Sequence, residues 1–215
     1  MRKYLIVLPI LTFVLLIIGT VPVKSELISN DFYFLEDKIK NYGTFKENGV
    51  RLEYTTKSSV EEEILKLKNN FENQFKDEVN IEKNTISISK DYREIKAIVW
   101  SNKEDTKVQI TYVNNNNKIT TNQLKKELEQ NEYFAAKNIK YFNFVKVKII
   151  EDQKQKVLDL LKSNIDEKTL EELNILNGKV AKGILIDGSK INFSFMTYDK
   201  ENYLVLGTPV IFITY

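Results

Sequence analysis

The chain has 215 residues, of which 42% are hydrophobic, with 32 basic and 30 acidic side chains. It contains no cysteine and no histidine, which excludes disulfides, thiol nucleophiles, histidine-based triads and Cys/His zinc sites. Seven glycines and three prolines are too few for a disordered or fibrous chain. The length suits one domain, or two small halves packed closely together.

The first 25 residues are typical of a targeting segment. Arg2 and Lys3 are followed by residues 4–23, which carry no charge. Twenty apolar residues are long enough to span a hydrocarbon core of about 30 Å as a helix, and the positive residues keep the amino end in the cytoplasm. A cut after Ser25 would lack a clean A-x-A recognition site. We therefore predict that residues 1–25 are either a signal peptide or a membrane anchor.

Export changes the charge balance of the folded part. The three basic residues of the leader precede the first acidic residue, Glu26, so the rest of the chain has 29 basic and 30 acidic groups. A net charge of −1, with Arg51 and Arg93 as the only arginines in that part, lacks the electrostatic footprint of a nucleic-acid-binding protein. The prediction is an extracytoplasmic protein, secreted or anchored to the cytoplasmic membrane, that binds no nucleic acid.

The first half of the exported part alternates helical and strand patterns. Ser58-x-x-Glu61 and Ser59-x-x-Glu62 both fit a capping box, in which a hydroxyl and a carboxylate satisfy free amide donors. The acidic run that ends at Glu63 is favoured there by the helix dipole, with a metal or acid–base role as the alternative. In chain order, the predicted elements are a helix over 31–42, a strand over 44–56, this capped helix, strands over 85–89, 94–101 and 107–113, and a helix capped by Thr120-x-x-Gln123 that runs to about residue 137.

The second half repeats the order of the first. Asp152-x-x-Gln155 predicts a capped helix, and Asp187-Gly188 is a strong hairpin signal. Pro209 cannot donate to a strand ladder, which predicts a bend or an edge-strand feature. The predicted elements are a strand over 139–149, the capped helix, a short helical stretch from Asp166 through Leu173, and strands over 180–186, 191–198, 203–206 and 210–215.

The two halves define the predicted fold. We divide the exported part into a first half-repeat, 26–138, and a second, 139–215, each with a strand, a helix and about three antiparallel strands. Short hairpin loops and segregated helices predict an α+β fold, in which the duplicated units form one curved antiparallel sheet. The helices bury one face of this sheet and leave the other face available.

Three segments resemble the YwmB-like family of exported bacterial proteins. They are GTFKENGVRLEY (43–54), SVEEEILKLKNNF (59–71) and the ending KINFSFMTYDKENYLVLGTPVIFITY (190–215), in which LGTPVI (206–211) is the most characteristic string. The leader and the duplicated layout are similar as well. The resemblance implies a saddle like that of TATA-binding protein and a cell-envelope setting in a spore-forming Gram-positive bacterium. It implies no catalytic residue, because the function of the family is uncharacterised.

Aromatic residues are the candidate contact residues. Tyr141, Phe142 and Phe144 stand close together in one predicted strand, and Trp100 lies in another. An open sheet face would present some of them to a partner, although strand alternation places at least half of them in the core. We therefore predict these four as partner-contact residues, and we predict no catalytic residue, no cofactor and no metal.

The leader, the duplicated sheet and the lack of a catalytic constellation together favour a non-enzymatic binding or interaction domain. Its partner would be another envelope protein or a cell-wall component. Two alternatives remain open at this point. One is an envelope hydrolase or metal-assisted enzyme built from carboxylates, although no carboxylate pair stands out among 30 acidic residues. The other is a structural component of an envelope assembly.

Overall fold

The structure, a computed structural model, describes residues 30–132 and 135–213. Its strands are β1 (Gly43–Thr56), β2 (Asn80–Glu82), β3 (Thr85–Lys90), β4 (Arg93–Asn102), β5 (Asp105–Asn114), β6 (Lys137–Ile149), β7 (Glu171–Ile175), β8 (Gly178–Ile184), β9 (Lys190–Tyr198) and β10 (Glu201–Thr208). Its α-helices are α1 (Asn30–Ile39), α2 (Val60–Phe75), α3 (Thr121–Glu129) and α4 (Lys154–Ser163). Short 3-10 turns span Lys40–Tyr42, Glu151–Gln153 and Glu167–Thr169.

The described strands form one open antiparallel sheet in the order β2-β3-β4-β5-β1-β6-β10-β9-β8-β7. The two long strands, β1 and β6, pair with each other at its centre. Outward from this pair, both sides have their strands in the same order, and the element order helix–strand–helix–four strands occurs twice along the chain. The predicted α+β class and antiparallel sheet are therefore confirmed.

Each half has an edge strand that the sequence pattern does not predict. The residues of β2 are all exposed, and so are those of β7. The predicted helical stretch from Asp166 through Leu173 is wrong beyond its first turn: Asp166 caps a 3-10 turn, but Leu173 pairs with Val180 of β8. Strands that bury no residue lack the alternation that periodicity detects.

The capping boxes at the starts of α2 and α3 are confirmed. The Ser59 hydroxyl accepts from the backbone N–H of Glu62 at 3.2 Å, and the Glu62 carboxylate accepts from the backbone N–H of Ser59 at 2.9 Å. Thr120 and Gln123 make the same exchange ahead of α3. These caps satisfy free amide donors locally, so they form wherever the helix packs.

The start of α4 differs from the prediction. The helix begins at Lys154, and Gln153 at its N-cap offers no side-chain hydrogen bond. Asp152, the predicted cap, lies inside the 3-10 turn that precedes the helix. Because Asp152 is part of this turn, it is not available as the N-cap of α4.

The predicted end of α3 also differs, since the helix stops at Glu129, well before residue 137.

The structure shows two repeats, residues 30–114 and residues 121–208, and the opening helix of each repeat packs on the other repeat. Phe32 of α1 belongs to the same buried cluster as Val147 of β6 and Val157 of α4. Leu124 of α3 belongs to the other buried cluster, with Leu52 of β1. The helix that opens each repeat therefore covers the sheet of the other half. Since a fully buried apolar side chain contributes about 1.5–3 kcal/mol, this exchange couples the two halves strongly.

A buried polar network joins the halves where the exchanged helices meet. Glu36 of α1 is 1% exposed and accepts hydrogen bonds from Lys40 Nζ at 2.9 Å and Asn48 Nδ2 at 2.8 Å. It also accepts from the backbone N–H of Thr121 at 3.2 Å and from the Thr121 hydroxyl, so it caps α3. Asn48 Oδ1 in turn accepts from Asn114 Nδ2 at 2.8 Å. One carboxylate thus ties α1, β1 and α3 together.

Replacing this carboxylate should destabilise the fold. We expect Glu36→Ala to lower the free energy of unfolding by about 3 kcal/mol, because it leaves several buried donors without an acceptor. Urea unfolding followed by the fluorescence of Trp100, the single tryptophan, measures the change.

The neighbouring residue provides the control. Asp37 on the same helix is exposed, and Asp37→Ala should change the free energy of unfolding by less than about 0.5 kcal/mol. Equal losses in the two variants would contradict the role of the network.

A second acidic residue, Asp77, ties the end of α2 to the β3–β4 hairpin. Its carboxylate accepts from Lys90 Nζ at 2.7 Å and from the Arg93 guanidinium. These contacts lower the pKa of Asp77, and the hydrogen bond from Lys90 has the largest effect. A carboxyl whose pKa is lower in the folded state stabilises the fold above its unfolded-state pKa. That stabilisation is lost as the pH falls through the folded-state value.

The pH dependence of stability should report this contact. We expect the wild-type protein to lose stability below about pH 4 more steeply than Asp77→Asn, because the amide cannot take up the proton. Urea unfolding of both proteins at several pH values between neutrality and acid measures the difference. Parallel losses in the two proteins would show that Asp77 does not contribute.

Candidate binding face

The sheet surface opposite the helices is the candidate functional site, and we call it the helix-free face. Because alternate residues of a strand point to opposite sides, the residues between the core positions lie on it. In β1 these are Gly49, Arg51 and Glu53, which alternate with buried Val50 and Leu52. Strand register extends the face across the sheet, and its further members include Lys96 and Trp100 of β4, Lys107 of β5, Lys140, Phe142, Phe144 and Lys146 of β6, Tyr203 of β10 and Lys182 of β8.

The C-terminal segment, residues 209–213, lies over the centre of this face. The ring of Phe212 packs edge-on against Phe144, with 5.1 Å between ring centroids, and borders Phe142 at 6.5 Å. The Arg51 guanidinium lies 4.4 Å from the centroid of the Phe212 ring, and Arg51 Nη2 donates to Phe212 O at 3.1 Å. An aromatic cluster, closed by one arginine, therefore holds the segment in place.

Two glycines make room for this cluster. Gly49 of β1 and Gly207 of β10 flank Phe144 on either side in register. A Cβ at Gly49 would lie 2.5 Å from Phe144 Cε1, and a Cβ at Gly207 would lie 2.9 Å from Ile211 Cγ1. Because neither glycine has a side chain, there is space for Phe144, which is fully buried beneath Phe212.

The predicted strand over 210–215 is wrong for the residues that the structure describes. Residues 210–213 have no strand assignment, whereas 214 and 215 lie outside the described residues. The chain bends at Pro209, as expected for a residue with no backbone N–H to donate to a ladder. The apolar residues after it pack on the sheet face instead of extending the sheet.

One concavity lies on the first-half side of the C-terminal segment. It has a volume of about 320 Å³, and its lining includes Glu53, Thr55, Trp100, Lys107, Gln109, Asn138 and Lys140. The Trp100 side chain is 37% exposed there. Lys107 and Lys140 form no ion pair with another described residue. An exposed indole beside two free ammonium groups suits a ligand that has an apolar surface and a negative charge.

A larger concavity of about 580 Å³ lies on the second-half side. Its lining includes Leu173, Val180, Asn192, Val210 and Ile211, so most of its floor is apolar. Its acidic residues are ion-paired: Glu171 with Lys182 at 2.9 Å, and Glu172 with Lys179 at 3.1 Å. The hydrogen bond from Lys179 is the largest of the contacts that lower the pKa of Glu172.

The four predicted contact residues do not gather in one place. Trp100 lines the first concavity, whereas Phe142 is half-buried and borders Phe212. Phe144 is fully buried and offers no surface to a partner. Tyr141 faces the helices, where it packs against the first-half core and donates to Glu132.

The acidic run at the start of α2 has structural contacts. Glu62 completes the capping box, and Glu63 is fully buried, where it accepts from the Tyr54 hydroxyl at 2.6 Å and from Lys66 Nζ at 3.0 Å. Burial is the main cause of the lowered pKa of Lys66. Within residues 30–132 and 135–213, no group of three or more acidic, histidine or cysteine side chains is arranged to hold a metal ion.

The chain matches no family model and no curated protein sequence. The class therefore rests on the fold, which is α+β, with an open antiparallel sheet of ten strands among the described residues. None of the helices that the structure describes is both long enough and apolar enough to cross a membrane. The predicted leader, residues 1–25, lies outside the described residues.

Sequence reasoning missed the residues that shape the centre of the face. By sequence, Arg51 stands out only as one of two arginines beyond the leader, and the pattern around Phe212 predicts a strand. The available signal was Gly49 inside the predicted strand 44–56, because such a glycine often marks a close approach by another part of the protein.

Removing the aromatic cover should loosen the centre of the sheet. We expect Phe212→Ala to lower the free energy of unfolding by about 2–3 kcal/mol, since it uncovers Phe144 and leaves a space beside it. Urea unfolding followed by the fluorescence of Trp100 measures the loss.

Val210 supplies a matched control in the same segment. It is 46% exposed, so Val210→Ala should change the free energy of unfolding by less than about 0.5 kcal/mol. If Phe212→Ala proves as mild as Val210→Ala, the C-terminal segment does not hold the cluster together.

Proposed function

We propose that the protein is a non-enzymatic binding domain of the cell envelope, exported or held on the membrane by residues 1–25. Its partner is another envelope protein or a cell-wall component, which it engages across the helix-free face. The leader motivates the location, and the open sheet face motivates the mode of binding. The net charge of −1 beyond the leader lacks the basic footprint of a nucleic-acid-binding domain.

The first concavity is the observation that carries this proposal. Trp100 is the exposed aromatic side chain among its lining residues, and it stands beside two lysines that have no acidic partner among the described residues. Glu53 lines the same concavity opposite Lys140, so the two ammonium groups outnumber the one carboxylate and attract an incoming anion. Gln109 and Asn138 on the same lining supply amides for hydrogen bonds.

A carboxylate-based hydrolase fits the geometry less well. A general acid needs a carboxyl whose pKa is raised toward the working pH. In the larger concavity, Glu171 and Glu172 are instead paired with lysines, and the pKa of Glu172 is lowered. The wall of this cavity therefore favours binding over proton transfer.

We also propose membership of the YwmB-like family and a saddle of the TATA-binding-protein type. The support is the repeated strand order on the two sides of the β1–β6 pair, together with the LGTPVI string (206–211). In this chain that string covers the end of β10 and the start of the C-terminal segment. A fold of this type does not by itself imply a nucleic-acid partner, because the site decides the function.

Photo-crosslinking in living cells tests the proposed face. A photoreactive amino acid at position 107 or 140 should capture a specific envelope partner, because both positions line the first concavity. Mass spectrometry of the captured material then identifies whether it is protein or wall polymer.

Position 126 on the exposed side of α3 is the matched control, since Lys126 lies on the helix side of the sheet. Adducts from positions 107 and 140 but not from 126 support the proposal. Adducts from 126 alone would overturn it. So would a complete lack of adducts together with measurable turnover of wall material by the purified protein.

A further inference from the structure

We propose further that the β8–β9 end of the sheet lies against the extracytoplasmic surface of the cytoplasmic membrane, with lipid headgroups as its partner. This inference rests on the anchored form of the proposed function, in which residues 4–23 remain in the bilayer. It assigns an orientation to the domain and a contact surface to a part of the fold outside the first concavity.

The first described residues are fixed to the turn between β8 and β9. The backbone N–H of Asp31 donates to Asp187 Oδ2 at 3.2 Å, and the backbone N–H of Asp187 donates to Asp31 Oδ2 at 2.9 Å. This reciprocal pair joins the start of α1 to the Asp187-Gly188 turn. The chain therefore enters the domain beside that turn.

Chain length limits how far this end can stand from the membrane. Only residues 24–29 separate the apolar segment from α1, and six residues span at most about 20 Å. The β2 edge lies eight strand spacings away from β8, which is about 40 Å along the sheet. An anchor at residues 4–23 therefore holds the β8–β9 end near the bilayer but does not hold the β2 edge there. The proposed orientation places the β2 edge away from the bilayer.

The side chains at this end suit a lipid surface. Ile186 is 71% exposed, Val210 46% and Ile184 37%. Lys190 pairs with Ile184 in register, and both line a shallow cavity together with Val210. We call these four residues the membrane-facing patch. Apolar side chains with a long cationic side chain among them match the boundary between acyl chains and headgroups.

Lys190 adds a cationic group to the patch, while the carboxylates of Asp31 and Asp187 at this turn accept hydrogen bonds from backbone N–H groups and that of Glu171 pairs with Lys182. Lys190 is exposed and forms no ion pair with another described residue, so its ammonium group is available to a lipid phosphate. Three apolar side chains make a weak contact by themselves. The tether compensates for this, because a short linker raises the effective concentration of the patch at the bilayer to the order of millimolar.

Site-specific fluorescence tests the orientation cleanly, because the chain has no cysteine of its own. The full chain is made as two single-cysteine variants, Ile186→Cys in the patch and Ile81→Cys in β2, which is 40% exposed. Each variant carries an environment-sensitive dye and is reconstituted into vesicles of phosphatidylglycerol and phosphatidylethanolamine. Spin-labelled lipids in the same vesicles quench dyes that reach the headgroup region.

The expected result is a blue shift and strong quenching of the dye at position 186, with neither effect at position 81. Equal quenching at the two positions, or quenching at neither while the protein floats with the vesicles, would overturn the proposed orientation. In a further variant, Lys190→Glu should reduce the quenching at position 186 in anionic vesicles. An unchanged signal would show that the lysine does not bind phosphate.

Failure of the anchored form is distinguishable from failure of the orientation. If cells release the protein without residues 1–25, the anchor is absent and the inference falls, whereas the crosslinking result for positions 107 and 140 still decides the binding face. If the protein stays in the membrane fraction but position 186 is not quenched, only the orientation is wrong.

Discussion

The pairing of β1 with β6 is the interaction on which the rest of the structure depends. It joins the two halves of the sheet, and its register places Gly49 beside Phe144 on one face and Val50 beside Asn143 on the other. A shift by one residue would move every side chain of one half to the opposite face. The buried cluster of that half would then face away from the helices that cover it. The network around Glu36 resists such a shift, because it ties the exchanged helices to Asn48 of β1.

The strands of the two halves follow the same order, but the helix-free face is covered by the C-terminal segment at its centre only. The helices treat the two halves alike, since each opening helix packs on the opposite half. The C-terminal segment breaks this equivalence, because it has no counterpart after β5 and closes the centre of the helix-free face through Phe212. One face of a duplicated sheet thus acquires two unlike concavities, one aromatic and cationic, the other mainly apolar. The aromatic and cationic concavity is the proposed partner site.

Much of the fold was predictable because its signals are local. The capping residues Ser59 and Thr120 bond to amides within their own helices. Alternation along β1 reports burial on one side of a strand, and Asp187-Gly188 sets a hairpin turn through its own backbone preferences. From such signals the α+β class and the antiparallel pairing follow without knowledge of the partners. Trp100 is a candidate contact residue by its place in a predicted strand, and its exposure in the first concavity comes from the tertiary structure.

The amino-acid sequence therefore determined the longer elements, their approximate limits and the duplicated order, but not the edge strands or the path of the C-terminal segment. Only the tertiary structure decided which helix or segment covers each part of the sheet. The sequence around Phe144 does not show that Gly49, Gly207 and Phe212 surround it. The sequence around Glu36 is that of an ordinary surface acid on a helix, and only the fold brings Thr121 against it. The edge strands β2 and β7 likewise have no burial pattern of their own. In each case the deciding contact comes from residues distant in the chain, so no local pattern contains it.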